Sequence, residues 1–491
     1  MADEKRDRAI LWGFNLRGLI NISTIIILVA ALFCLFALYP ILAFYRRNVV
    51  ALKIDGNVQI NATGQFPDLP NMPALIDPDT PSTAFTRTGF DGQAYELVFS
   101  DEFNTPNRTF YPGDDPYWEA VDLWYWATGD LEWYDPGQVT TNDQGQLVIT
   151  LAEVQTFNQT YRSGMLQSWN KFCFTNGYIE VSLSLPGADS DAQGYWPGAW
   201  TMGNLGRPGY GATTDGTWPY SYDSCDIGTY PNQTEHDGVS PPAANFSAAS
   251  RSKYDFKLSY LSGQKLSACT CPGEDHPGPD VSVGRGAPEI DILEAQKNKL
   301  GPGGKVSQSV QMAPFNANYQ PNYAGVSIND TTITQMNSYN GSAVQQAISA
   351  LTDLPARVFH GTGAEFATFG FEYWTDPNNR QDGYITWQVD GGETLHVDAS
   401  SMVGDSLTGI SNRLISEEPM SIVLNLAISP NFQTINLDTL YFPAQFLVDY
   451  VRVYQREGQT NVGCDPPTRP TAQYIQDHLD AYSSTSRLPL L

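Results

Sequence analysis

The chain has 491 residues, with 53 acidic against 27 basic side chains and a net charge of −26. An acidic excess of that size repels phosphate backbones and argues against nucleic acid as a partner. With 42 Gly, 33 Pro, 12% aromatic and only 16% charged residues, the composition fits a turn-rich β protein rather than a helical bundle or a disordered chain.

Residues 1–17 form a short polar tail, expected to be cytosolic. From Gly18 to Phe44 no residue is charged. A bilayer core takes about 20 apolar residues as a helix, whereas a signal peptide has an apolar region of roughly 7–15. Residues 18–44 therefore read as an uncleaved transmembrane anchor that holds the protein in a lipid bilayer. N-glycosylation triplets begin at Asn61, Asn107, Asn158, Asn232, Asn245, Asn329 and Asn340, all beyond that span. They predict a single-pass, N-in and C-out (type II) protein of the secretory pathway or plasma membrane. Residues 45–88, interrupted by Pro67, Pro70, Pro73, Pro78 and Pro81, read as a Pro-rich stalk.

Between residues 89 and 456 the chain reads as an all-β domain. The segments 95–99, 146–151, 177–185, 369–374, 383–389, 421–428 and 446–454 are rich in β-branched and aromatic residues. The run GYIEVSLSL (177–185) alternates, which predicts one buried face. Few helix-period segments separate these strands, so an antiparallel sandwich is expected rather than a parallel α/β sheet. Residues 203–288, rich in Gly, Pro, Ser and Asp, form a long insertion. The five cysteines beyond the span, Cys173, Cys225, Cys269, Cys271 and Cys464, allow at most two disulfides. Cys269-Thr270-Cys271 with His276 lacks the spacing of a structural zinc site, so disulfide bonding is the better reading. In the extension 457–491, Ile475, Leu479 and Tyr482 fall at i, i+4 and i+7, predicting a short amphipathic helix over 471–482 packed on the domain.

The segment Glu289-Ile-Asp-Ile-Leu-Glu294 carries the chemistry. In a strand Glu289 and Asp291 share a face, while Glu294 falls on the other. A β-bulge at Ile292–Leu293 returns Glu294 to the first face, with Ile290 and one of Ile292 or Leu293 packed behind. The two glutamates would then lie roughly 13 Å apart at Cα. Side chains leaning together by roughly 4 Å each approach the carboxyl separation of about 5–5.5 Å of retaining glycosidases. Asp291 between them would make the three titrate as a coupled group. The competing reading is a solvated acidic strand. Sugar rings stack on aromatic faces, so Trp196, Trp200, Trp218 and Tyr220 are expected to bind substrate; the competing reading places some of them in the sandwich core.

With LVFSDEFN (97–104), SGMLQSWNKFCFTNGYIEVSLSLPG (163–187), GYWPGAWTMGNLGRPGYGA (194–212), VDYVRVYQ (448–455) and NVGCDPP in the tail, the sequence resembles glycoside hydrolase family 16. Within that family it is similar to the fungal β-glucan synthesis-associated membrane proteins. The resemblance implies a concanavalin A-like jelly roll with a glucan cleft on one concave sheet. It further implies Glu289 as nucleophile, Glu294 as general acid/base, Asp291 as assisting carboxylate, and a role in β-1,6-glucan assembly of the fungal wall. β-Glucan polysaccharide is the implied partner. No cofactor is required, although some members hold a structural calcium near the position matched by Asp449. The rival expectation is a glucan-binding or scaffolding protein with little turnover.

Overall fold

The computed structural model describes residues 16–39, 74–214, 216–265 and 270–485. Most of the tail, the greater part of the stalk, Asn61, Cys269 and residues 40–44 and 486–491 lie outside the described residues. The N-terminal apolar run forms an α-helix, Leu16–Phe33, extended by a wider turn over Cys34–Leu38. Residues Gly18–Leu38 are long and apolar enough to cross a membrane.

The rest of the described chain is built on two antiparallel sheets. One runs, in spatial order, through Thr86–Thr88, Ala94–Asp101, Ala444–Arg456, Gly177–Ser184, Ala367–Trp374, Tyr384–Val389, Gly392–Asp398 and Val326–Ile328. The other runs through Thr334–Met336, Gln345–Asp353, Gly304–Met312, Glu289–Lys297, Tyr195–Gly203, Met420–Ile428, Met165–Gln167 and Glu119–Ala120. Their inner faces enclose one apolar core that includes Phe99, Val181, Ile290, Phe371, Trp387 and Leu424. Each such side chain contributes about 1.5–3 kcal/mol when fully buried. The result is the expected jelly-roll sandwich.

Each of the seven strand-like segments lies on an observed strand. The alternating run differs from expectation: Gly177–Ser184 is buried along nearly its whole length, because it sits between two strands and is covered on both faces. The folded domain also begins before residue 89. Ser100 N–H donates to the Leu75 carbonyl at 3.0 Å, and Glu102 N–H donates to Asp77 Oδ2 at 3.0 Å. Residues 74–88 are thus pinned to the second strand rather than forming the end of a stalk.

The C-terminal extension is also corrected. It forms two short helices, Ala472–Asp477 and Leu479–Ser483, broken at His478. Ile475 and Tyr482 are buried as expected, but the break turns Leu479 outward, leaving it 48% exposed. Cys173 and Cys464 form a disulfide that ties this extension to the sandwich.

Candidate active site

The strand Glu289–Lys297 has two neighbours, and both registers slip at the same place. Against Gly304–Met312, Asp291 faces Ser309 and Glu294 faces Ser307, so Ile292 and Leu293 together oppose the single residue Gln308. Against Tyr195–Gly203, Asp291 faces Trp200 and Leu293 faces Ala199. This is the expected bulge, with one refinement. Both Ile292 and Leu293 are fully buried in the core, not one of them. Two adjacent apolar residues can point the same way only where the pleat is interrupted, and that interruption brings Glu289, Asp291 and Glu294 onto one face.

That face forms the floor of a cavity of about 1120 Å3 lined by all three acids. Asp291 is buried; its Oδ2 accepts from Ser309 Oγ at 2.6 Å and from Gln311 Nε2 at 2.9 Å. Glu289 and Glu294 are partly open to the cavity. Trp218 Nε1–H donates to Glu289 Oε2 at 2.5 Å, and Trp196 Nε1–H donates to Glu294 Oε1 at 3.0 Å. Each outer acid is therefore held by its own indole.

Burial, and then the neighbouring charge of Asp291, pushes Glu294 up to about 8 against a weaker opposing pull from Trp196. Glu289 is raised well above the usual range, by burial first and then by Asp291. Asp291 rises to about 6 through burial, with the Ser309 and Gln311 donors opposing. The two glutamates thus retain protons near neutrality, which is what proton delivery to a leaving group demands.

Three of the four expected aromatic residues line the cavity. Trp196 and Trp200 project from one face of Tyr195–Gly203, separated by Gly198, and Trp218 comes from the insertion. Gly198 lies opposite Glu294, where a Cβ would approach Asn425 Oδ1 to 2.7 Å and disturb the bond that Trp200 Nε1–H donates to that oxygen at 2.9 Å. Trp196 stacks on Phe432 with ring centroids 4.3 Å apart and planes 4° from parallel.

Tyr220 corrects the expectation. It is 1% exposed and packs with Tyr222, Phe315 and Tyr319 behind the cavity. Only Pro219 separates it from Trp218, yet the chain sends the two rings to different places. Tyr125, Trp126, Asp130, Tyr134 and Asn425 also line the cavity and were not singled out from the sequence. The aromatic stretch around Trp124–Trp126 was the available signal, but its irregular loop has no periodicity to orient the side chains.

Asn107, Asn158, Asn232, Asn245 and Asn329 are exposed and Asn340 is half-buried, so the first five are open to modification. Asp449 accepts from Ser182 Oγ at 3.4 Å, while nearby Glu102 is engaged by both arms of Arg452. No cluster of three His, Cys, Asp or Glu able to hold a metal occurs among the described residues.

Fold and site together define an antiparallel jelly-roll sandwich with an acid-bearing, aromatic-walled cleft. The chain belongs to the family described as beta-glucan synthesis-associated protein SKN1/KRE6/Sbg1, which matches residues 1–487. It is 44% identical over 426 residues to the beta-glucan synthesis-associated protein KRE6 of Saccharomyces cerevisiae, covering 86% of this chain and 55% of that protein. It is also 44% identical over 481 residues to SKN1 of the same yeast, covering 95% and 59% respectively. The chain therefore spans between half and two thirds of the length of these relatives. Among solved structures, it is similar to the catalytic domain of an endo-1,3-beta-glucanase (laminarinase) from Thermotoga petrophila. That match has a TM-score of 0.43 and 18% identity, covering 74% of this chain and 100% of that one.

Proposed function

We propose that this protein is a membrane-anchored retaining β-glucan glycosidase or transglycosylase that acts in β-1,6-glucan assembly of the fungal cell wall. The observation that carries the reading is the bulged strand that gathers Glu289, Asp291 and Glu294 on the floor of an aromatic-walled cavity. In the proposed reaction a Glu289 oxygen attacks the anomeric carbon as the bond to the leaving sugar breaks. The proton of Glu294 passes to the departing oxygen. Glu294 then takes a proton from water or from a sugar hydroxyl, whose oxygen displaces Glu289 from the anomeric carbon. Asp291, held by Ser309 and Gln311, bonds to the Glu289 carboxyl and takes up proton density as the nucleophile ionises.

The test is product analysis by NMR after incubating the purified protein with defined β-1,3- and β-1,6-gluco-oligosaccharides. Retained anomeric configuration, with release or transfer of reducing ends, is expected. Inverted products reject the mechanism.

One observation favours a second reading, a glucan-binding assembly protein with little turnover. The environment that raises Glu289 also keeps it protonated and blunts it as a nucleophile. Tight binding of the same oligosaccharides with unchanged reducing ends identifies that case.

The apolar helix and the exposed acceptor asparagines beyond it support a type II orientation. Deglycosylation that leaves electrophoretic mobility unchanged counts against it.

A further inference from the structure

The acid strand divides the cavity into two flanks of different character. On one side, beyond Tyr195–Gly203, lie Met420–Ile428 and the residues Asp130, Tyr134 and Asn425. On the other side, beyond Gly304–Met312, lie Gln345–Asp353 and Thr334–Met336. The insertion reaches this second flank and is bonded to it, Tyr260 N–H donating to the Ala343 carbonyl at 2.6 Å. Tyr254, Tyr260 and Tyr339 line the cavity here. The charge of Glu294 is among the causes that raise the Tyr339 phenol, so this flank adjoins the proposed acid/base.

This flank also gathers positive charge. Arg251 and Lys253 line the cavity here, and Lys299 lines it from the turn after Lys297; none has a carboxylate within 4.0 Å among the described residues. The contrast lies within the same cavity, where Lys297 is engaged by Asp191 and Lys305 by Asp353. In a chain with 53 acidic and 27 basic residues, an unpaired cation is the exception. Arg251 instead lies 5.1 Å from the Tyr339 ring centroid and Lys253 lies 4.8 Å from that of Tyr254. Phenol faces hold a cation in place without neutralising it, so its charge and donors remain available. A neutral glucan asks for stacking and hydroxyl partners, not for net charge.

We propose that this flank is a subsite for an anionic saccharide, specifically a phosphate-bearing sugar entering on the Glu294 side. The Arg251 guanidinium would grip the phosphate with paired N–H donors while Lys253, and at longer range Lys299, add point charges. Tyr254 and Tyr260 would carry the sugar ring. The proposal rests on the cavity being the glucan site.

The test uses the full chain carrying Glu289→Gln, so that nothing turns over, and titrates three probes by calorimetry. These are a neutral β-glucan trisaccharide, the same trisaccharide carrying a 6-phosphate, and inorganic phosphate. The phosphorylated sugar is expected to bind at least tenfold tighter than the neutral one in 50 mM salt. The advantage should shrink in 500 mM salt, since screening falls from roughly a 14 Å range to about 4 Å. It should vanish when Arg251→Gln, Lys253→Gln and Lys299→Gln are added, with thermal unfolding reporting that the fold survives. Equal affinity for the two sugars, or an advantage that persists in the triple variant, overturns the proposal. Failure of both sugars to bind strikes the glucan reading instead. Inorganic phosphate then decides the subsite, which stands if the triple variant alone loses it and falls if both proteins behave alike.

Discussion

Gln308 donates its side-chain N–H to the Ile292 carbonyl at 3.3 Å, from the residue directly opposite the bulge. The same amide reaches the Gln388 carbonyl at 3.1 Å, and its oxygen accepts from Thr394 Oγ1 at 2.6 Å. Gln308 is fully buried. A bulge removes backbone pairing, and here one core amide replaces a lost donor and links the acid-bearing sheet to the other sheet.

Gln308→Leu keeps the volume and removes every one of those bonds. The unsatisfied carbonyls and hydroxyl should cost about 1–3 kcal/mol of stability. The bulge that aligns the acids should also loosen, lowering turnover roughly tenfold or more, since misplacements of 1 Å are felt strongly. Thermal unfolding and glucan turnover on the same preparation check both. Full turnover with lowered stability would show that the amide holds the fold but not the alignment.

Glu289→Gln tests the nucleophile directly. The amide retains shape and can still accept from Trp218 Nε1–H, so the fold should persist. Turnover should fall by at least about 10^4-fold, the scale seen when a covalent nucleophile is lost. Near-normal glucan turnover in this variant would reject the assignment.

Much of this site was legible because the sequence carried an internal contradiction. Three acids and two adjacent apolar residues cannot satisfy a regular pleat, and the bulge resolves them all at once. The sandwich was legible for a similar reason, since its central strands are continuous runs of β-branched and aromatic residues. The insertion was not legible. Trp218 and Tyr220 have similar chemistry and lie two positions apart, yet one lines the cavity and the other packs behind it. Long-range contacts decide between them, and no local period encodes these. Gly304–Met312 escaped notice because its Lys, Ser and Gln residues read as surface, whereas the strand is buried along its length against neighbours on both edges.

The raised carboxyls also predict how stability depends on pH. A carboxyl whose folded pKa exceeds its unfolded value holds a proton that the unfolded chain has released. Its contribution is complete below the unfolded value and is lost as pH rises through the folded one. For Glu294 the window runs from the ordinary 4.5 to about 8, and for Asp291 from 3.8 to about 6. Stability should therefore fall by up to about 1.4 kcal/mol per pH unit for each such group across its window, less for Glu294 because cavity water reaches it. Glu294→Gln should flatten the upper part of that decline. Unfolding curves between pH 4 and 9 measure it; wild type and variant with parallel profiles would contradict the assignment.

Trp196→Phe separates the indole N–H from the ring. The phenyl ring can still stack on Phe432, but the donor to Glu294 is gone. That donor lowers the Glu294 pKa against burial and the Asp291 charge, so its loss should raise it further. A general acid works while protonated, so the alkaline limb of the turnover profile should move to higher pH, with maximal turnover down a few-fold. An alkaline limb that stays in place would show that Glu294 is not the group titrating there.

The C-terminal extension should be part of the site's scaffold rather than an appendage. Arg285, four residues before Glu289, is 1% exposed and pairs with Glu418 through two bonds of 2.7 Å. Its remaining arm donates to the Gly278 carbonyl at 2.7 Å and to the Pro470 carbonyl at 2.9 Å. One guanidinium thus joins the insertion, the approach to strand Met420–Ile428 and the extension just ahead of the acid strand. Arg285→Leu leaves the Glu418 carboxylate buried without its partner and should cost about 3–5 kcal/mol. Replacing Glu418 by Leu as well removes the stranded charge and should recover much of that loss, because a buried ion pair is worth little beyond an apolar pair of similar size. If the double variant regains stability but not turnover, Arg285 acts by positioning the acid strand. If it regains both, the pair serves the fold alone.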